Sequence, residues 1–269
     1  MNDYEREEAC GNIAPFLKPG DVINWVWHFN LGKFLWPPFL GVLSTTASWQ
    51  IQRYQKRYFG NPSFYKCSHT CIYLGETGGS DSAFDPKAHT VFEVTSPKSK
   101  WTPLWDFCDH DIRILRFTPR SLAADDISVM AQAASRIVGT SYDYGQLLDF
   151  LLHEVAGYPR ENFPMFDLGP KRKVCSTGVM SLFTHLRKVR ESVGDMLIPR
   201  LFDIVDVDRW RSAGVYDNID QCLDPDAVPG QDRIRTPIER VAPAHFDNTD
   251  YFQNEFQLIA RFRKGVRME

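Results

Sequence analysis

Apolar residues recur along the chain in short runs, and their spacing alternates between strand-like and helical. Runs rich in β-branched and aromatic residues predict strands at 22–27, 68–74, 90–95, 112–117 and 256–262. Helical spacing occurs at 45–58, 121–138, 144–155 and 175–190, and Gly139 is a stop signal after the second of these. Strands grouped apart from helices favour an α+β fold, with an antiparallel sheet packed against helices.

The helix predicted at 175–190 has the clearest pattern in the chain. Arg187, Lys188 and Arg190 lie in its last turns, where positive charge complements the helix dipole. Its apolar side chains fall at i, i+3, i+4, i+7 and i+10, namely Val179, Leu182, Phe183, Leu186 and Val189. The pattern predicts a core helix that begins at Cys175.

The chain reads as one folding unit, because no repeat, low-complexity tract or long linker divides it. Its 269 residues, 43% of them apolar, can bury a sizeable core. We therefore expect a polar N-terminal lead-in at 1–14, followed by a single domain at 15–265.

Composition and charge exclude several classes of function. Lys and Arg number 31 against 34 Asp and Glu, a net charge of −3, and no basic stripe suggests a nucleic-acid partner. No run of roughly 18 apolar residues predicts a transmembrane helix. The acidic start predicts no secretory signal peptide, so synthesis in the cytoplasm is expected. The apolar segment at 34–43 is too short to span a membrane, and it is expected as a buried or semi-buried loop, or as a membrane-surface or partner-docking patch.

Six cysteines are spread irregularly along the chain: Cys10, Cys67, Cys71, Cys108, Cys175 and Cys222. This spacing, in a chain of this length, does not predict a disulfide framework. A reducing compartment at synthesis is the default expectation.

Three residues could together carry out nucleophilic catalysis. Cys175 begins the clearest helix, where the helix dipole and unpaired N–H groups favour a thiolate and could bind an oxyanion. His69 starts one predicted strand and Glu93 lies on the next. A histidine can take and return the proton of the thiol, and a carboxylate can orient that histidine.

Four motifs give the chain a family resemblance. The motifs are LKPGDVI (17–23), SHTCIYLGE (68–76), VFEV (91–94) and VCSTGVMSLF (174–183). They resemble segments of the permuted papain-like members of the NlpC cell-wall peptidase superfamily. These members include YiiX-like proteins and lecithin:retinol acyltransferase-like enzymes. In that family a Pro-Gly-Asp turn opens the first strand, a histidine and then a polar residue follow on two strands, and a cysteine starts a helix. The resemblance covers roughly residues 15–190 and implies the triad Cys175, His69 and Glu93.

The resemblance also implies a fold and a function. The fold is permuted papain-like, and the reaction is acyl transfer through a thioester, without metal or organic cofactor. A peptidoglycan amidase or endopeptidase is the first expectation, as a phage-type enzyme or an antibacterial effector delivered to the periplasm or cell wall by a non-classical route. A delivery or immunity protein is then an expected partner. Segments at about 26–66 and 140–174 exceed a minimal family member and are expected to shape the cleft.

Several alternatives stay open at this stage. The chain could be a lipid or acyl thioesterase or acyltransferase whose segment 34–43 grips acyl chains, or a non-catalytic binding or virion module on the same fold. Cys67, His69 and Cys71 alternate along one strand and could bind zinc with Cys108 and His110. The backbone N–H of Cys175 is one expected oxyanion donor, and a second is expected from residues 21–27.

Overall fold

The computed structural model describes residues 1–26, 49, 51–53, 55–56, 67–76, 85, 87–144, 173–195, 243–247 and 255–268. Short 3₁₀ turns occur at Ala14–Phe16 and Leu104–Asp106. The helices and strands in these residues are, in chain order, α1 (Asp3–Ile13), β1 (Val22–Val26), β2 (His69–Glu76), β3 (His89–Glu93), β4 (Lys100–Pro103), β5 (Asp111–Phe117), α2 (Ala124–Ile137), α3 (Cys175–Ser192), α4 (Pro243–Asp247), β6 (Phe256–Arg263) and β7 (Val266–Met268).

The strands form one sheet in the order β4-β3-β2-β1-β5-β6-β7. Every neighbouring pair in this sheet is antiparallel. The protein is therefore of the α+β class with an antiparallel sheet. β1 and β2 lie near its centre; the start of β2 pairs with β1, and its pairing with β3 begins at Cys71.

Each face of the sheet is covered by a buried apolar cluster. On one face, α2 and α3 pack against alternate strand residues such as Val22, Ile72 and Phe92. On the other face, α1 and the segment 104–108 pack against residues of opposite parity, such as Ile23 and Tyr73. Since side chains alternate along a strand, this two-sided burial explains why β1 and β2 are apolar on both faces.

Five of the seven strands were predicted from the sequence. β1, β2, β3, β5 and β6 fall on the expected segments, and α2 and α3 match two expected helices within a few residues. Gly139 follows α2 with a φ of 84°, the left-handed conformation that glycine adopts without strain. β4 and β7 were not predicted, because they span only a few residues each. The helices expected at 45–58 and 144–155 and the segment 34–43 lie largely or wholly outside the described residues.

The N-terminal segment differs from the polar lead-in expected at 1–14. It forms α1, and a capping box starts this helix: the Asn2 side chain accepts from the Glu5 N–H at 2.9 Å, and the Glu5 carboxylate accepts from the Asn2 N–H at 2.8 Å. Only Ala9, Cys10 and Ile13 are buried against the sheet. So narrow an apolar stripe gave no helical pattern in the sequence.

Cys10 of α1 forms a disulfide with Cys108, although the cysteine spacing did not predict a disulfide framework. The two residues are 98 positions apart, so their spacing in the sequence could not indicate the pair. Cys67, Cys71 and Cys175 are free and buried.

Among the described helices, none is long and apolar enough to cross a membrane.

Candidate active site

His69 and Glu93 meet where two strands of the sheet begin and end. β2 begins at His69, β3 ends at Glu93, and Glu93 pairs with Cys71 in the register of the two strands. His69 and Glu93 are therefore diagonal neighbours on one face, within reach of long side chains. The Nε2 atom of His69 lies 2.9 Å from Oε2 of Glu93, and both side chains are buried.

The Glu93 carboxylate is held by β4 as well as by His69. The Thr102 hydroxyl donates a hydrogen bond of 2.6 Å to Oε1, and the Lys100 ammonium lies 3.5 Å from the same oxygen. Burial would raise the pKa of Glu93, but the contacts with His69, Thr102 and Lys100 outweigh it and lower that pKa. Glu93 is thus an anion at neutral pH, fixed at both oxygens. The sequence did not indicate Thr102 and Lys100 as site residues, because β4 was not predicted.

Cys175 comes to this pair from the helical layer. It is the first residue of α3, which packs on β2 and β3, and its thiol is hydrogen bonded to the His69 imidazole. Since Nε2 of His69 faces Glu93, Nδ1 is the nitrogen left for the sulfur. The helix start is fixed by Thr177, whose hydroxyl accepts from the Val174 N–H at 3.0 Å.

The electrostatics of the buried pair favour charge separation. Burial opposes the Cys175 thiolate, but the charge of His69 and its hydrogen bond outweigh burial and lower the pKa of Cys175. Burial likewise opposes the imidazolium, but Cys175 and Glu93 on either side raise the pKa of His69 to about 9. Both shifts therefore favour a thiolate beside an imidazolium over the neutral pair.

Two backbone N–H groups point at the sulfur. Those of Thr70 in β2 and Ser176 in α3 donate to it and further lower the pKa of Cys175. The sequence indicated the helix N-terminus but not Thr70. The second oxyanion donor expected from residues 21–27 stays a prediction; at positions 21–26, β1 is paired with both β2 and β5.

Two aromatic side chains, Trp25 and Tyr142, lie beside His69 and Cys175. Trp25 contacts the His69 ring edge-on, with centroids 4.8 Å apart. Tyr142 is buried close enough to Cys175 for the thiolate to help raise the pKa of its phenol, although burial is the larger cause. An isolated parallel bridge pairs Tyr142 with Lys173, two residues before the cysteine. Neither ring was assigned to the site from the sequence, because each also packs in the apolar core.

Two of the five zinc ligands considered from the sequence are engaged by other groups. His69 is bound by Glu93 and Cys175, and Cys108 is in the disulfide. No cluster of three or more His, Cys, Asp or Glu side chains suited to a metal ion is present in the described part of the chain.

A buried thiolate can attack a carbonyl carbon and form a thioester when a histidine shares its proton and a carboxylate lies behind that histidine.

Comparisons with known proteins add little to this geometry. No family model matches the chain, and no curated protein matches it. The crystal structure of the metalloprotein YiiX from Escherichia coli O157:H7 is similar to it at 16% sequence identity, with a TM-score of 0.38, over 91% of this chain and 97% of that one.

Proposed function

We propose that this chain is a cysteine-dependent amide hydrolase with a permuted papain-like arrangement, in which Cys175 is the nucleophile. One observation carries the proposal: Cys175, His69 and Glu93 form a continuous buried hydrogen-bonded chain, with the thiol pKa lowered and the imidazole pKa raised. An ion pair arranged in this way activates a thiol at neutral pH.

The first half of the reaction starts from the ion pair of the Cys175 thiolate and the His69 imidazolium. The Cys175 thiolate attacks the carbonyl carbon of the amide, and the carbonyl oxygen becomes an oxyanion. The backbone N–H of Cys175, at the N-terminus of α3, is a donor for that oxyanion. The tetrahedral intermediate collapses as the C–N bond breaks, and the His69 imidazolium protonates the leaving amine. A thioester on Cys175 and a neutral imidazole remain.

The second half restores the enzyme. Neutral His69 takes a proton from a water molecule, the resulting hydroxide attacks the thioester carbon, and the C–S bond breaks to release a carboxylic acid. The proton stays on His69 and the sulfur leaves as the thiolate, so the starting ion pair is regenerated. Glu93 orients the imidazole throughout and stabilises its positive charge.

A peptidoglycan stem peptide is the substrate we propose first. The support is the likeness of the segments around His69, Glu93 and Cys175 to those of cell-wall peptidases. The Cys10–Cys108 disulfide supports work in an oxidising compartment such as the periplasm, because disulfides seldom persist in the cytosol. A delivered antibacterial enzyme satisfies both observations.

Digestion of purified sacculi tests the proposal, with the released muropeptides identified by mass spectrometry. The unaltered protein should cleave a peptide or amide bond, and Cys175→Ala should abolish cleavage. Cys67→Ala is the matched control, because Cys67 is also a buried free cysteine but takes no part in the proposed chemistry. Equal cleavage by Cys175→Ala would remove Cys175 as the nucleophile.

The same preparations distinguish the acyl alternative. Release of fatty acid from acyl esters or thioesters, lost in Cys175→Ala and without any muropeptide product, would replace the amide substrate by a lipid one. The thiol chemistry of the site would then stand unchanged.

A further inference from the structure

Trp25 links the catalytic histidine to a segment of the chain that has no part in the chemistry. Its ring is edge-on to His69, edge-on to Phe107 at 5.4 Å, and stacked on His110 at 4.4 Å with an interplanar angle of 29°. Trp25 is only 4% exposed, so its ring is enclosed, and these three rings are among its contacts. A ring packed in this way limits how far the His69 imidazole can swing away from Cys175.

The Cys10–Cys108 disulfide restrains the segment 107–110, whose Phe107 and His110 rings contact Trp25. Cys108 lies between Phe107 and His110, and its bond to Cys10 ties the segment to α1. Two backbone hydrogen bonds make this segment a pair of successive turns. The Phe107 N–H donates to the Leu104 carbonyl, and the His110 N–H donates to the Phe107 carbonyl. A second tie to α1, between Arg6 and Asp109 at 3.4 Å, is partly exposed and weak by comparison. The covalent bond is thus the strongest link between α1 and the rings around Trp25.

We propose that Trp25 is a positioning residue for His69, and that the Cys10–Cys108 disulfide sets its position through Phe107 and His110. Formation of the bond requires an oxidant, which we assign to a disulfide of an oxidoreductase or of glutathione. Cys10 and Cys108 lose two protons and two electrons as their S–S bond forms, and the partner disulfide is reduced to two thiols. The enzyme is then fully competent only after it reaches an oxidising compartment.

This inference rests on the proposed nucleophile, and thiol labelling tests it without a substrate. The rate at which iodoacetamide alkylates Cys175, followed by peptide mass spectrometry as a function of pH, reports its thiolate fraction. In Cys10→Ala/Cys108→Ala the acid limb of this profile should move to higher pH, because His69 is held less firmly beside the sulfur. Each unit of that shift lowers the thiolate fraction about tenfold at a pH below the pKa.

Controls separate positioning from loss of folding. Cys67→Ala makes a similar buried change without breaking the disulfide, and its profile should match that of the unaltered protein. Unfolding exposes Cys175 to iodoacetamide with an ordinary thiol pKa, so the profiles are compared only for variants whose circular dichroism and urea unfolding show a fully folded protein. If the double variant fails to fold, His110→Ala and Trp25→Phe keep the disulfide and should both shift the limb upward.

A folded double variant with the profile of the unaltered protein would overturn the proposal. Unchanged profiles in both His110→Ala and Trp25→Phe would overturn it as well. A profile of the unaltered protein without any lowered thiol pKa would instead refute the proposed function, so the two failures are distinguishable.

Discussion

The Nε2 atom of His69 lies 2.9 Å from the Glu93 carboxylate across two neighbouring strands. β2 begins at the histidine and β3 ends at the glutamate, so the pair lies at the one end of these strands that the N-terminus of α3 approaches. The register of the sheet therefore determines the distance between base and orienting group, and the packing of α3 determines the distance to the thiol. Each can be altered independently.

The pH dependence of turnover should be bell-shaped. Turnover rises as Cys175 loses its proton, at a pH below the ordinary thiol value because its pKa is lowered. It falls as the pH passes about 9, where His69 loses the proton that the leaving group needs. Since the two groups titrate together, these limits belong to the pair.

The pH dependence of the rate of Cys175 alkylation is the control for the pH dependence of turnover. Alkylation needs only the thiolate, so it should show the acid limb and remain fast above pH 9, where turnover falls. Loss of both above pH 9 would contradict the assignment of the alkaline limb to His69.

Glu93→Gln should weaken the ion pair while keeping the size of the side chain. Without the anion, the pKa of His69 should fall and that of Cys175 should rise. A hydrogen bond to a charged group contributes about 1.5–3 kcal/mol, so kcat/KM should drop about 10- to 100-fold. The measurement is kcat/KM on the identified substrate, with the alkylation profile alongside.

Thr102→Val is the graded comparison for Glu93→Gln. It removes the hydrogen bond of 2.6 Å to Oε1 but leaves the carboxylate and its contact with His69. Its effect should have the same direction and be smaller. A larger loss in Thr102→Val than in Glu93→Gln would mean that β4 matters for more than the orientation of Glu93.

The three candidate residues could be found from the sequence because each has a local signal. His69 and Glu93 lie in runs rich in β-branched and aromatic residues, and Cys175 begins a strongly amphipathic helix. Long-range pairing has no such signal. Thr102 reaches Glu93 only through β4, and Cys10 meets Cys108 only because α1 folds back onto the sheet.

Gly178, in the first turn of α3, has a packing role that the sequence did not indicate. A Cβ atom at this position would lie 2.3 Å from Cγ2 of Val94, the residue that follows Glu93. Close packing of a helix on a strand cannot be deduced from composition, because it depends on which face of the helix meets which residue.

Breaking the buried ion pair of Arg113 and Asp247 should strongly destabilise the protein. Nη2 of Arg113 donates to Oδ1 of Asp247 at 2.6 Å, and this contact holds α4 against β5. Asp247→Ala leaves a buried cation without its partner, so the free energy of unfolding should fall by about 3–5 kcal/mol. Urea unfolding followed by circular dichroism measures the change.

Replacing both partners separates the cost of an unpaired charge from the value of the pair. Arg113→Met combined with Asp247→Leu should be clearly more stable than Asp247→Ala, because no charge is left buried. A double variant as unstable as the single one would show that the pair itself, through its geometry, stabilises the attachment of α4.

Gly178→Ala should displace α3 from the sheet and disturb the position of Cys175. Alanine normally favours a helix interior over glycine by about 0.5–1 kcal/mol, but the clash with Val94 should dominate and destabilise the protein by about 1–3 kcal/mol. Val94→Ala removes the methyl group that the new Cβ would meet. In the double variant the two substitutions should therefore compensate, with a coupling of about 0.5–3 kcal/mol and a recovered rate of Cys175 alkylation. Additive losses of stability and reactivity would show that Gly178 is needed for a reason other than its contact with Val94.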